Sequence, residues 1–384
     1  MKRLLVFALV LSLCMGLGVF AASPGEAATI KIGVIAPLTG GVAVYGVACK
    51  NGAELYTKEL NAAGGIKGQQ IELIIYDDKG DPTEALNAYN KLVTADEVAA
   101  IIGPVTSSPT FGVAEASVAD NVPGITGTAT HPDVTSYGKN YFRACFEDPF
   151  QGGTMARFAA DKLSAKTAAV LYNVSDAYST GLYNAFKAAA DDAGLKIVGV
   201  ESYAKDDVDF NAQLTSIAAL KPDVLFLPDY YNTVYLICSQ AKKAGITSTF
   251  LGVDGTDGVL EIEGADASVF NGLHFANHYF SDDPSDLVQN FRKNYEAEYG
   301  IAPNSFVALG YDSAMILFAA ISKAIDDGIT IGATPESYQA IIDRMAATDI
   351  NAVTGHITFK DNNPIKEVSI IKIEDGKYAF AGKY

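Results

Sequence analysis

The chain has no tryptophan, only four cysteines and only four histidines in 384 residues. Three of the cysteines, Cys49, Cys145 and Cys238, follow the N-terminal segment, and they are widely spaced. The sequence contains no Cys-x-x-Cys pair, which argues against a zinc knuckle. An oxidising compartment would permit one disulfide among the three cysteines, and the sequence leaves the choice of pair open.

Positive charge is also scarce, with 28 basic residues against 45 acidic ones and a net charge of −17. Such a surface repels phosphate-rich partners, so nucleic acid is excluded as a partner. The acidity does not by itself indicate a cationic ligand, because it also keeps an exported protein soluble. We expect no metal ion and no cofactor.

One long apolar run stands at the start of the chain. Lys2 and Arg3 precede an almost uncharged stretch, Leu4–Phe20, and the small-residue sequence AASPGEAA follows it. This order is typical of a secretory signal peptide. We predict that residues 1–27 are removed, with Ala22 as the alternative last residue of the signal.

The remainder of the chain offers no stretch of about 18 uncharged apolar residues, so we expect an exported, periplasmic protein without a membrane span. Cys14 raises the alternative of a lipid anchor. Leu13 precedes it, however, where lipid-attachment motifs have a small residue, so we do not expect lipidation.

From Thr29 onwards a short β-branched run, a loop with Gly, Ser or Thr, and a helix recur in turn. This alternation predicts βα units and parallel sheets. The clearest helix start follows the strand IELIIYD, where Asp81 can cap, Pro82 can take the first position and Glu84 can reach back to the cap. The sequence therefore predicts an α/β protein with doubly wound, mostly parallel sheets.

The alternation restarts near residue 148. If the two domains simply followed one another along the chain, the last helices would have no sheet to cover. We predict two lobes that share the chain, with several crossings between them and no flexible linker. The first lobe comprises residues 28–148 plus 278–355, and the second comprises residues 149–277 plus 356–384.

Ligands of open parallel sheets bind beyond the carboxyl ends of the strands. In the first lobe the loops at those ends offer hydroxyls and free backbone N–H groups, which can hold an anion. In the second lobe they offer tyrosines and the sequence VDGTDG, in which we predict that Asp257 is a solvated turn residue. The candidate site residues in these loops are Tyr45, Ser107, Thr128, Ala129, Thr130, Tyr178, Tyr230 and Asp254.

Several stretches, in this order, give the chain a family resemblance: IKIGVIAPLTG, NGAELYTKELNAAGGIKGQQIELIIYDD, GPVTSS, GTATHP, AYSTGL and FLGVDG. With them the chain resembles the Leu/Ile/Val-binding family of periplasmic solute-binding proteins over essentially its whole mature length. The resemblance implies the type I fold, in which two α/β lobes are joined by three crossovers. It also implies a monomer that binds an amino acid and delivers it to a membrane ABC permease. The amino acid that we expect is a branched-chain or other apolar one.

The resemblance assigns roles to individual residues. Ser107 and Thr130, with backbone at Thr128, are implied to hold the α-carboxylate of the ligand. Asp254 and Tyr178 are implied to bind its α-ammonium group, although the family member that aligns best has Glu where Asp254 stands. Tyr45, Tyr230 and Phe306 match positions that line the cavity.

Other functions remain as alternatives. The same fold can bind an amide, an aromatic acid or a small cation, and a receptor ectodomain can use the same lobes. A hydrolase triad of Ser107, His131 and Asp133 lacks the Gly-x-Ser-x-Gly turn. The pair His274 and His278 has zinc-helix spacing but lies in a stretch that we predict to be extended, and the calcium-loop spacing fails after Asp254.

Overall fold

The computed structural model describes residues 29–384. The predicted signal peptide and Cys14 lie outside these residues. Cys49, Cys145 and Cys238 are all buried and unpaired, so none of the disulfides that the sequence left open forms among them.

The first sheet is parallel throughout, with its strands in the order β2-β1-β3-β4-β5. Its inner strands are short, and β3 and β4 are buried on both faces, as expected for a parallel sheet covered by helices. The strands are β1 (Thr29–Ala36), β2 (Gln70–Asp77), β3 (Ala100–Ile102), β4 (Gly124–Thr126) and β5 (Tyr141–Arg143), and the helices between them are α1 (Ala43–Ala62), α2 (Pro82–Thr94) and α3 (Ser107–Asp120).

Helix α2 begins as predicted at its cap. Asp81 accepts hydrogen bonds from the backbone N–H groups of Thr83 and Glu84, and Pro82 takes the first helical position. The Glu84 side chain instead contacts Lys79 Nζ at 3.2 Å, and the backbone N–H of Asp81 donates to the carbonyl oxygen of Asp78. The prediction that the Glu84 side chain reaches back to the cap residue is therefore wrong.

The second sheet has seven strands in the order β15-β14-β10-β9-β8-β6-β7, parallel from β7 to β10 and antiparallel at β14 and β15. The strands are β6 (Thr167–Asn173), β7 (Lys196–Tyr203), β8 (Val224–Phe226), β9 (Thr249–Gly252), β10 (His274–Asn277), β14 (Ser369–Glu374) and β15 (Lys377–Lys383); the helices are α4 (Asp148–Asp161), α5 (Ala177–Asp192), α6 (Asn211–Leu220) and α7 (Tyr231–Lys243). The two mostly parallel sheets confirm the predicted α/β fold.

After β10 the chain returns to the first lobe through α8 (Asp286–Tyr299), α9 (Ser305–Asp326) and α10 (Pro335–Ala346). Helix α9 packs against α1, and two glycines allow the close approach. A Cβ on Gly52 would lie 2.0 Å from the carbonyl oxygen of Val307, and a Cβ on Gly310 would lie 2.1 Å from that of Cys49.

Helix α9 is long and apolar enough by composition to cross a membrane, with a mean hydropathy of 1.5 over its most apolar 18 residues. In the fold, 83% of that stretch is buried, and Asp312 lies within it. Helix α9 is therefore the core helix of the first lobe.

A third, small sheet joins β11 (Asp349–Ala352), β12 (Gly355–Lys360) and β13 (Asn363–Pro364). Ile357 of β12 is fully buried in the core of the first lobe. The amide of Asn362 donates to the carbonyl oxygen of Tyr141 at 2.9 Å, next to β5. Residues 356–364, which the sequence assigned to the second lobe, therefore pack against the first sheet, and we propose that the last crossing lies between β13 and β14.

Candidate functional site

A small cavity lies where the carboxyl ends of the two sheets face each other. It is narrow in this structure, with a volume of about 10 Å³. Seven of the nine residues predicted for the site line this cavity: Tyr45, Ser107, Thr128, Tyr178, Tyr230, Asp254 and Phe306. Val105, Thr106 and Gly255 also line it, and the sequence analysis did not select them.

Ala129 and Thr130 do not line the cavity. Ala129 is fully buried, and its carbonyl oxygen accepts from Nη1 of Arg143 at 3.1 Å. The carbonyl oxygen of Thr130 accepts from the backbone N–H of Asp148 at 3.0 Å, and its Oγ1 atom has no hydrogen-bond partner among residues 29–384. That these two residues take part in binding the ligand stays a prediction.

The first lobe presents the start of α3 to the cavity. Ser107 is the first residue of this helix, and the side chain of Thr106, the residue before it, makes no capping hydrogen bond. The backbone N–H groups of Ser107 and Ser108 remain available, whereas Pro109 has none and that of Thr110 donates to the carbonyl oxygen of Thr106. Together with the helix dipole, the two available N–H groups favour an anion. The Thr128 hydroxyl donates to the carbonyl oxygen of Val105 at 2.6 Å, which holds the neighbouring loop against this helix start.

The second lobe presents Asp254, which is only 3% exposed. Its Oδ1 atom accepts from the Tyr178 hydroxyl at 2.6 Å and from Nε2 of Gln151 at 2.9 Å. Its Oδ2 atom lies 3.4 Å from Nε2 of His278. Three side chains therefore orient one buried carboxylate towards the cavity.

Two further titratable groups surround Asp254. Burial raises the pKa of Asp148 to about 8, and the negative charge of Asp254 acts in the same direction. Asp148 therefore keeps its proton at neutral pH and adds no negative charge to the cluster. Burial lowers the pKa of His278, so its imidazole is neutral and can donate to Asp254 through Nε2.

Aromatic rings form the apolar walls of the cavity. Tyr45 from α1 stacks on Phe306 from α9 with 4.0 Å between ring centroids. Tyr178 stacks on Tyr230 at 4.9 Å on the opposite side. The Tyr45 hydroxyl also crosses to the second lobe, where it donates to the carbonyl oxygen of Gly255. This arrangement suits an apolar group between two polar ends.

The prediction that Asp257 is a solvated turn residue is wrong. Asp257 is 2% exposed, and its Oδ2 atom accepts from the backbone N–H and the hydroxyl of Ser305 and from Nδ2 of Asn277. The start of α9, far away in the sequence, covers this loop, and a local pattern cannot show such a contact.

Sequence reasoning also missed the residues that support Asp254. Asp148 and Gln151 stand three residues apart at the start of α4, so they share one face of the helix. Gln151 Nε2 lies 3.1 Å from Asp148 Oδ1, which links the two acids. The sequence DPFQGG shows that Asp148 and Gln151 are three residues apart, but it does not show that Gln151 contacts Asp254.

The alternative sites have the following geometry. His274 lies in β10 and His278 directly follows it, so the predicted extended stretch is confirmed. Within residues 29–384 no three His, Cys, Asp or Glu side chains converge in a way that could hold a metal ion. The Ser107 hydroxyl accepts from the backbone N–H of His131, not from its imidazole, which instead accepts from the backbone of Asp133.

Comparisons with known proteins agree with this architecture. A leucine-, isoleucine-, valine-, threonine- and alanine-binding protein of Pseudomonas aeruginosa is 32% identical over 356 residues, which cover 92% of this chain and 91% of the relative. A leucine-binding protein LivK from Thermotoga maritima is 32% identical with a TM-score of 0.84, covering 92% of this chain and 98% of that one. LivJ from Streptococcus pneumoniae, solved in complex with isoleucine, is 31% identical with a TM-score of 0.85 and the same coverage.

The sequence model of the family described as periplasmic binding protein matches residues 29–377, nearly the whole of the described chain. The resemblance inferred from the sequence motifs is thereby confirmed, and this chain belongs to the periplasmic binding protein family.

Proposed function

We propose that this protein is the extracytoplasmic solute-binding component of an ABC importer and that it binds a branched-chain or other apolar amino acid between its lobes. One observation carries the proposal. The uncapped start of α3 and the buried carboxylate of Asp254 face the same small cavity from opposite lobes. A zwitterion fits these two ends, with its carboxylate at the helix and its ammonium group at the acid.

The walls of the cavity support an apolar side chain. The rings of Tyr45, Phe306 and Tyr230 line the cavity between the polar ends. A small, mostly apolar cavity with a few convergent polar groups is typical of small-molecule sites. The relatives described above carry names that refer to leucine, isoleucine and valine, which agrees with this chemistry.

The proposed mechanism is hinge closure without a chemical step. A ligand that contacts both lobes stabilises the closed form by the contacts it makes only there. A membrane permease can then distinguish the loaded protein from the empty one. We propose that the protein acts as a monomer in the periplasm.

Calorimetric titration with leucine and two truncated analogues tests the proposal. The protein is first unfolded and refolded so that any retained ligand is removed. 4-Methylpentanoate lacks the amino group of leucine, and 3-methylbutylamine lacks its carboxylate. We expect tight binding of leucine, isoleucine or valine and weak or undetectable binding of both analogues.

Equal binding of 4-methylpentanoate, or binding of benzoate alone, would contradict the amino-acid proposal and favour an acid without an α-amino group. The variant Asp254→Asn sharpens the test, because it removes the negative partner of the ammonium group. We expect it to cost about 3 to 5 kcal/mol of binding free energy. Asp192→Asn, at an exposed position of α5, serves as the control.

A further inference from the structure

The loop after β9 carries two buried aspartates that serve different partners. Asp254 faces the cavity, as described above. Asp257, three residues later, contacts the start of α9. Its Oδ2 atom accepts from the backbone N–H of Ser305 at 2.9 Å and from the Ser305 hydroxyl at 2.6 Å.

These hydrogen bonds join the two lobes. Asp257 belongs to the second lobe, where Asn277 of β10 donates to the same Oδ2 atom at 3.1 Å. Ser305 belongs to the first lobe, since α9 packs along α1 and its residue Leu309 is buried in the core of the first sheet. The contact therefore joins the two lobes beside the cavity.

The contact is well suited to hold the lobes. A carboxylate at a helix N-terminus interacts favourably with the helix dipole and with the free N–H groups there. Asn304 caps α9 by accepting from the backbone N–H of Val307 at 3.1 Å, which leaves the N–H of Ser305 to Asp257. Asp257 is 2% exposed and Ser305 is 1% exposed, so water competes little.

A second hydrogen bond joins the segment after β9 to the start of α9, beside the contact between Asp257 and Ser305. Nδ2 of Asn304 donates to Oε1 of Glu261 at 2.7 Å. On the first-lobe side, Phe306 directly follows Ser305 and lines the cavity. The loop that offers Asp254 and the helix end that offers Phe306 are thus fastened together beside the cavity.

We propose that Asp257 and Ser305 form a latch between the lobes, and that this pair determines how tightly and how long the ligand is held. The proposal rests on the proposed function, in which the lobes close on an amino acid. Asp257 and Ser305 are positioning residues, since neither lines the cavity. They act by favouring the closed form, because the apparent affinity of a ligand scales with the fraction of protein that can adopt its binding form.

A double-mutant cycle on the full mature chain, stripped of ligand, tests the latch. The variants are Asp257→Asn, Ser305→Ala and the two together, with Asp192→Asn as the control. Leucine affinity is measured by calorimetry, and its dissociation rate by stopped-flow tyrosine fluorescence. Circular dichroism verifies that each variant is folded, and Ser305→Ala, which removes one hydroxyl, changes the packing least.

We expect each single variant to raise the Kd for leucine by roughly 10-fold, mainly through a faster dissociation rate. The double variant should be no weaker than the more affected single variant, because both changes remove the same contact. At saturating leucine, X-ray scattering should show the same compaction in all variants.

The latch is refuted if both single variants bind leucine with the Kd of the wild type, or if their effects on binding free energy simply add. Failure of the proposed function looks different, since the wild-type protein itself would then bind no amino acid. In that case scattering of the ligand-free proteins tests the latch. An increased radius of gyration in Asp257→Asn supports it, and an unchanged radius overturns it.

Discussion

Gln151 contacts Asp254 through both atoms of its side-chain amide. Its Nε2 atom donates to Oδ1 of Asp254 at 2.9 Å, and its Oε1 atom accepts from the backbone N–H of Asp254 at 3.2 Å. Gln151 lies near the start of α4, the helix between β5 of the first sheet and β6 of the second. The residue that we propose as the partner of the ligand ammonium is therefore oriented by a residue of α4.

Replacing Gln151 with Ala should weaken amino-acid binding. The change leaves the backbone N–H of Asp254 without a partner and frees the carboxylate to turn away from the cavity. We expect a loss of about 1.5 to 3 kcal/mol in the binding free energy of leucine, measured by calorimetry. Gln213→Ala, at a half-buried position of α6 where the side chain donates to the carbonyl oxygen of Ser202, should leave binding unchanged, and an equal Kd for both variants would show that Gln151 does not position Asp254.

The variant Asp148→Asn should change how stability depends on pH. Burial raises the pKa of Asp148 to about 8 in the folded protein, against about 4 in an unfolded chain. Between these values the native state keeps a proton that the unfolded state releases, so this group makes the wild type less stable as pH rises from about 4 to 8. Asparagine cannot ionise, so the variant lacks this loss.

Calorimetric melting temperatures at pH 4.5 and pH 8.5 provide the measurement for Asp148→Asn. The variant should gain stability relative to the wild type at the higher pH, by about 1.4 kcal/mol for each unit of pKa difference. Parallel pH profiles for the two proteins would show that the carboxyl of Asp148 is not perturbed. Asp192→Asn should follow the wild type.

The variant Gly310→Ala should destabilise the first lobe. A Cβ at this position would lie 2.1 Å from the carbonyl oxygen of Cys49, so α9 and α1 would have to separate. We expect a cost of about 3 kcal/mol in the free energy of unfolding by urea, at the upper end of overpacking effects. Gly112→Ala in α3, where the added Cβ meets nothing within 4 Å, should instead stabilise by about 0.5 to 1 kcal/mol.

Lys366 forms a buried polar link at the last crossing between the lobes. Its Nζ atom donates to the carbonyl oxygen of Ala144 at 2.9 Å and to the Thr354 hydroxyl, which donates in turn to Oδ2 of Asp312 at 2.6 Å. Burial lowers the pKa of Lys366 to about 8, and the nearby Asp312 opposes that change. The two charges balance each other inside the hinge.

Removing only the charge of Lys366 should therefore destabilise the folded protein more than removing the charges of both Lys366 and Asp312. Lys366→Met leaves Asp312 as an uncompensated buried acid, and we expect a loss of about 3 to 5 kcal/mol in the free energy of unfolding. Adding Asp312→Asn to this variant should recover part of the loss. Urea titrations of the single and double variants measure this, and a double variant that is less stable than Lys366→Met would contradict the proposed balance.

The regular elements were predictable because their signals are local. The cap at Asp81 and the β-branched runs of β1 and β2 specify structure within a few residues. The position of Asp254 was predictable as well, since the carboxyl ends of parallel strands meet at one edge of a sheet. Its neighbours in the second lobe, Tyr178 and Tyr230, follow from the same rule.

The errors concern contacts between distant segments. Asp257 looked like a solvated turn residue because nothing nearby in the sequence shows that Ser305 covers it. Residues 356–358 pair with β11, which the sequence analysis did not predict as a strand, and the following residues pair with β13.

The α/β alternation, the candidate loops and the residue types at the two ends of the cavity are predictable from the amino-acid sequence, because they depend on hydrogen bonding and apolar periodicity within single helices and strands. The side chains that support Asp254, and the pair that joins the lobes, are visible only in the folded protein. Such contacts depend on how α4, α9 and the loop after β9 pack together. The residues involved are far apart in the sequence, by 48 positions for Asp257 and Ser305 and by 103 positions for Gln151 and Asp254.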